Sequence, residues 1–212
     1  TPVKVTADRS GRDLTIDTTT VYLPATDGNI ELSEADFQSA SPNVMLNDIK
    51  LHAHTVNYNA GGTVHFPVAD INAQGIAGDL ASVIISGNLV LPGDRGIAAN
   101  DGGLIDLSAA TIGGDRLGRS FTLTAVGTGG MNGGEVRLPE IVATGLPAGM
   151  QPLQTLNADV TAAGAGLPGE VFARDIILKE ENATNPSSLR LAGNVRLAAN
   201  TVFRTDSSLA AG

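Results

Sequence analysis

The chain has 212 residues, a net charge of −9, 26 glycines and no cysteine; 42% of it is hydrophobic but only 3% aromatic. The length suits one large domain, its core must come from Val, Ile, Leu and Ala, and the glycine content favours short strands with tight turns. The lack of cysteine excludes disulfides, thiolate zinc sites, Fe–S clusters and thiol nucleophiles, while the acidity, with Lys4, Lys50 and Lys179 as the lysines, argues against nucleic-acid and anionic-membrane partners.

The chain opens Thr1-Pro2, without Met or a signal peptide, and reads as a mature protein or an excised segment. No run of 18 apolar residues offers a membrane-spanning helix. Asp13–Asp17 is the first strand-like segment. Gly28-Asn-Ile-Glu-Leu-Ser33 follows and introduces a recurring pattern: Gly, any residue, an aliphatic, any residue, then Leu or Phe. Ser33–Gln38, with Ser33 as N-cap, is the best helix candidate, though barely a turn or two long. Strand-like segments at Val44–Leu51 and Thr55–Tyr58 precede the second copy, Gly62-Thr-Val-His-Phe-Pro67.

The third and fourth copies are Gly87-Asn-Leu-Val-Leu-Pro92 and Gly103-Leu-Ile-Asp-Leu-Ser108. Ser120–Ala125 is the next strand, and Gly127–Gly134 is a loop. Gly134-Glu-Val-Arg-Leu-Pro139 is the fifth copy, and Pro147–Pro152 a further loop. Leu156–Ala162 reads as a strand and Gly164–Gly169 as a loop. Gly169-Glu-Val-Phe-Ala-Arg174 and Gly193-Asn-Val-Arg-Leu-Ala198 are the last copies, followed by a strand at Thr201–Thr205. The sixth copy departs from the pattern, with Ala173 in the Leu position. The seven glycines are spaced 16 to 35 residues apart. A longer match supports the repeat: Ser82–Leu91 aligns without gaps on Ser188–Leu197, at an offset of 106 residues.

Glycine supplies positive φ at a turn. The aliphatics two and four places later, such as Leu89/Leu91, Ile105/Leu107 and Val195/Leu197, then share one inward strand face. The residue directly after Gly (Thr63, Asn88, Glu135, Glu170, Asn194) points outward. Single strands with one aliphatic face bury it by stacking on the next repeat, so the pattern predicts an all-β, right-handed parallel β-helix with irregular loops. A β-sandwich is the alternative. The pattern spans nearly the whole chain, so residues 1–212 read as a single β-solenoid domain or a segment of a longer repeat protein.

The phrases Gly193-Asn-Val-Arg-Leu-Ala-Ala-Asn-Thr-Val-Phe203, Gly28-Asn-Ile-Glu-Leu32 and Gly133-Gly-Glu-Val-Arg-Leu138 resemble repeats of filamentous-haemagglutinin-type adhesins and the related β-strand-repeat surface proteins of Gram-negative bacteria. The resemblance covers roughly residues 10–212. It implies an exported, surface-associated fibre with a right-handed parallel β-helix and no catalytic residues in its repeats. The family's Asn-rich amino-terminal secretion signatures are missing, so it implies an internal or stalk segment.

Several groups invite chemistry. His52, His54 and His65 could gather as Zn²⁺ or Ni²⁺ ligands, but His65 takes an outward repeat position, which favours a solvent-facing side chain. Asp101/Asp106, Asp94/Asp115, Asp70/Asp79 and Glu180/Glu181 are the carboxylate pairs that a β-helix polysaccharide enzyme would need, and none has a distinctive spacing. Asn100-Asp-Gly-Gly-Leu-Ile-Asp106 partly resembles the calcium nonapeptide of β-rolls; the ordinary reading is turn chemistry. Gly127–Gly134 lacks the Lys-Ser/Thr of a phosphate loop. No Gly-x-Ser-x-Gly elbow occurs. Asn182-Ala-Thr184 is a glycosylation sequon, read as accidental. Arg137, Arg190 and Arg196 read as outward, solubilising side chains.

No catalytic, cofactor or metal residues are therefore assigned. The expected function is that of a structural or adhesive segment of a large exported bacterial surface or fibre protein, secreted or at the cell surface. Its partners would be copies of itself or flanking repeats, and a host-cell protein or glycan bound on loops such as Ala73–Ser82, Asp94–Gly102 and Gly145–Gln154. The alternatives are a β-helix polysaccharide lyase or hydrolase and a glycan-binding β-sandwich.

Overall fold

The structure, a computed structural model, describes residues 3–4, 9–17, 30–31, 35–36, 46, 48–52, 63–65, 71–75, 79–182 and 184–205. In chain order its strands begin with β1 (Val3–Lys4), β2 (Leu14–Asp17), β3 (Ile30–Glu31), β4 (Ala35–Asp36), β5 (Asp48–His52) and β6 (Thr63–His65). Next come β7 (Ile71–Gln74), β8 (Ser82–Leu91), β9 (Arg95–Asn100), β10 (Leu104–Asp106), β11 (Ala110–Gly114) and β12 (Ser120–Thr124). The rest are β13 (Glu135–Arg137), β14 (Thr155–Asp159), β15 (Glu170–Ala173), β16 (Ile176–Ile177), β17 (Ser188–Ala192), β18 (Asn194–Leu197) and β19 (Phe203–Arg204). The described residues contain no helix, and all pairings between these strands are parallel. The fold is all-β, with parallel sheets. Antiparallel contact is confined, among the described residues, to the isolated bridges Gly114–Gln151 and Asn182–Asn185, which is not the pairing of a β-sandwich.

Three ladders organise the strands. The first runs β2-β5-β8-β10-β13-β15-β18, the second β7-β9-β12-β14-β17, and the third β3-β6-β8-β11. From β7 to β11 the chain visits them in the cycle second, first, third, and each cycle is one circuit. The second-then-first order continues through β12–β13, β14–β15 and β17–β18. Ile141, β16 and β19 close the later circuits and pair with one another in turn. A parallel partner cannot be reached by a tight hairpin, so long connections between paired strands follow from the pairing itself.

The core lies on the inward faces. One row of the first ladder aligns Leu14, Ile49, Val83, Ile105, Val136, Val171 and Val195 in register. The five middle members are fully buried, whereas Val195 on the outermost strand is 42% exposed. Each fully buried aliphatic contributes roughly 1.5–3 kcal/mol. Ala173, the unusual small residue of its motif copy, is also fully buried. Its neighbour Phe172 lies on the outer face between Arg137 and Arg196, whose guanidinium carbons are 6.0 and 5.3 Å from the ring centre.

Several expectations change. Within Ser33–Gln38, Ala35–Asp36 is a strand paired with Val3–Lys4, not a helix, because a backbone partner outweighs a weak local cap. Asp94–Gly102 is mostly strand β9 rather than an irregular loop, and Ala73–Ser82 begins in β7 and ends in β8. Asn88, expected to point into solvent, is only 9% exposed, and its Oδ1 has no hydrogen-bond partner among the described residues. Thr55–Tyr58 lies outside the described residues.

Candidate binding groove

The outward face of the second ladder carries a groove of about 440 Å³. Its shape follows from side-chain size. The first outward residues of β9 are Gly96 and Ala98, in register with Thr122 and Thr124 of β12, with Asn100 outward at its far end; Ala98 is also in register with Asn72 of β7. A strand of minimal side chains between two strands of longer polar ones leaves a trough along β9. Alternation places Ile97 and Ala99 inward, where they are buried.

Asp94 and Arg95 close one end of the trough. Asp94 Oδ1 accepts the Ser120 backbone N–H at 2.9 Å. Arg95 Nη1 donates to its neighbour's carbonyl, Asp94 O, at 2.8 Å. A Cβ at Gly93 would come within 2.7 Å of this guanidinium, which would have to swing aside to admit it. Arg95 Nε is buried without a hydrogen-bond partner, and Arg95 makes no ion pair among the described residues. Nearby, Arg119 pairs with Asp115 at 2.6 Å and donates to Pro92 O at 2.9 Å. The hydrogen bond and charge of Arg119 hold the Asp115 carboxyl below its ordinary range, and Asp115 in turn raises Arg119.

A second groove, about 470 Å³, crosses the corner between the second and first ladders. Gly103, Gly134 and Gly169 stack along its floor, where a Cβ on each would run into the carbonyl oxygen of Ala81, Gly103 or Gly134 respectively. Asp79, Glu135 and Glu170 stand along it.

The structure separates most of the residues singled out in the sequence. His52 lies on β5 of the first ladder and His65 on β6 of the third, so the backbone places them on different ladders; His54 and Asp70 lie outside the described residues. Among the described residues no group of three or more His, Asp or Glu gathers as metal ligands. The Asp101 carboxylate is taken by Gln74 Nε2 and Thr128 Oγ1 from the circuits on either side. Asp106 accepts from Ser108 N–H and Oγ at 3.0 and 2.6 Å, and from Arg137 at 3.2 Å. Glu181 accepts from Asn185 Nδ2 at 3.0 Å. Asn182 Oδ1 accepts from the Thr184 hydroxyl and N–H, so the sequon side chains close a turn on themselves.

The arginines are exposed, as expected, and also link strands. Arg137 pairs with Glu135 and Asp106, Arg190 with Asp159 at 3.1 Å, and Arg196 with Glu170 at 3.8 Å. The Gly127–Gly134 loop stacks on the following circuit: Gly133 N–H donates to Leu167 O, and Asn132 Oδ1 accepts from the Leu167 N–H. Gly145–Gln154 folds back, with Met150 buried near Gly113 and Gln151 bridged to Gly114. Sequence reasoning named Asp94–Gly102 as a candidate binding segment, but as a loop, and singled out neither Arg95 nor the trough. The nearest signal was the small-residue run Gly96-Ile-Ala-Ala99, which has low strand propensity and reads as loop. Comparison with protein-family models, with curated proteins and with solved structures returns no match.

Proposed function

We propose that the chain is a segment of a right-handed parallel β-helix within a large exported bacterial surface or extracellular fibre protein, serving a structural and adhesive role. The observation that carries this reading is the in-register row from Leu14 to Val195, which adds one aliphatic per circuit over seven strands. Such a stack extends by adding circuits, which is the logic of a rod. Each circuit also holds one copy of the glycine motif. The first three copies open strands of the third ladder (β3, β6 and the end of β8), and the last four open β10, β13, β15 and β18 of the first. Right-handedness follows from the strong preference of parallel crossovers.

The exposed apolar side chains of the outermost strands, Val195, Leu197 and Phe203, are where a flanking repeat or another copy would continue the stack. No catalytic step is part of this reading. Electron microscopy of the purified chain tests the architecture: short rods that lengthen with concentration are expected, and uniformly round particles at all concentrations would overturn it. An antibody against the chain, applied to intact cells of the source bacterium, tests the location. Surface labelling is expected; labelling only after permeabilisation would refute export.

A further inference from the structure

We infer that the trough on the second ladder binds a short acidic oligosaccharide, with Arg95 receiving a sugar carboxylate and the trough's polar walls receiving ring hydroxyls. The inference deepens the adhesive reading above and rests on it. Three observations lead there. First, Arg119, Arg137, Arg190 and Arg196 each have a carboxylate partner, whereas Arg95 has none among the described residues and keeps a buried, unpartnered Nε. A half-buried guanidinium that makes no ion pair leaves donors unused, and a carboxylate matches its planar fork. Second, although the whole chain is strongly acidic, the acids at this end do not outnumber the bases: Arg119 is paired with Asp115, and Arg95 stands beside Asp94, whose Oδ1 is already bonded to the Ser120 N–H.

Third, polar side chains stand on both sides of the trough over an apolar floor. Gly96 and Ala98 form a low floor, and Asn72, Thr122 and Thr124 offer amide and hydroxyl groups on both sides. The two walls stand about 9.6 Å apart, two strand spacings, and Thr122 and Thr124 are about 6.6 Å apart along β12. That width admits a sugar ring lying over Gly96 and Ala98 with its hydroxyls toward both walls, whereas a compact inorganic anion would meet only the Arg95 end. The volume, about 440 Å³, is that of a small-ligand site.

The test is calorimetric titration of the whole chain, at low salt, with trigalacturonate and with a neutral galactose trimer. Circular dichroism is recorded on every sample. Trigalacturonate is expected to bind at least tenfold tighter than the neutral trimer. Arg95→Gln should remove that preference while leaving neutral-trimer binding in place. Thr124→Glu, an outward change that places a like charge beside the ligand, should weaken the acidic trimer at least tenfold. A β-rich chain that shows no saturable trigalacturonate binding would overturn the inference. So would equal affinity for both trimers, an Arg95→Gln variant that binds as before, or displacement by acetate at the trimer's own concentration. Loss of the β spectrum in the unmodified chain would instead count against the β-helix reading.

Discussion

Asp101 joins three consecutive circuits through one carboxylate, accepting from Gln74 on one side and Thr128 on the other while its backbone holds a φ of 59°. Positive φ is costly for most side chains but tolerated by Asp and Asn. Asp101→Ala should therefore lose about 1–3 kcal/mol from the broken bonds and the strained backbone together. Asp101→Asn, which keeps an acceptor and tolerates the backbone, should lose less; urea unfolding measures both. Asp159 is a second such residue. Burial alone would raise its carboxyl, but the Thr161 hydroxyl and N–H, with Arg190, outweigh burial and hold it below the ordinary 3.8. A carboxyl lowered on folding adds stability that is present above its unfolded value and is lost as pH falls through the folded one. The melting temperature should therefore drop as pH falls below about 3.8. Asp159→Asn should be less stable than the parent at pH 7 and approach it in acid; an unchanged gap between the two at low pH would contradict this assignment. Neither residue's role was legible from the sequence, because each depends on which side chains stand one circuit away.

At the scale of the element, the glycine motif was informative about local bends and silent about position in the fold. Gly87 (φ 92°) divides β8, and Gly193 (φ 122°) separates β17 from β18, so the two matching ten-residue stretches share the same kind of corner. They nevertheless occupy different ladders: Ser82–Ser86 pairs with β5, whereas Ser188–Ala192 pairs with β14. Local sequence encodes a strand–glycine–strand bend, and which ladder receives it is set by the lengths of distant connections. Gly87→Ala should cost about 1–3 kcal/mol, since a β-carbon disfavours that backbone conformation. Gly134→Ala should be destabilising by about 1–3 kcal/mol for a different reason, overpacking against the Gly103 carbonyl. Thermal melting of both variants checks these values. Strands with strong alternation, such as Ser120–Thr124 and Leu14–Asp17, were readable from pattern alone. β7, β9 and β11 were not: their Gly, Ala and Asn content lowers local propensity, and parallel partners supply what the sequence lacks. The trough could not be anticipated while β9 read as loop.

At the scale of the whole molecule, the same stacking that buries the middle of the aliphatic row leaves its last members open. Val195, Leu197 and Phe203 are 42, 52 and 44% exposed, and β18 has no partner beyond it among the described residues. An unpaired edge beside apolar side chains invites another strand. Opposing this is the chain's charge of −9, which repels a second copy at low ionic strength. The two effects predict a salt dependence with a definite sign. Added salt shortens the screening length to about 8 Å at physiological strength, weakening repulsion while leaving apolar attraction in place. Association should therefore grow with salt as well as with concentration. Replacing Leu197 by Lys puts a charge on the apolar end and should suppress association without unfolding the chain, because that side chain is half-exposed to begin with. Light scattering after size exclusion, for the parent and Leu197→Lys across a salt series, separates the causes. If association falls with salt, charge pairing drives it; if Leu197→Lys associates like the parent, the contact lies elsewhere on the surface.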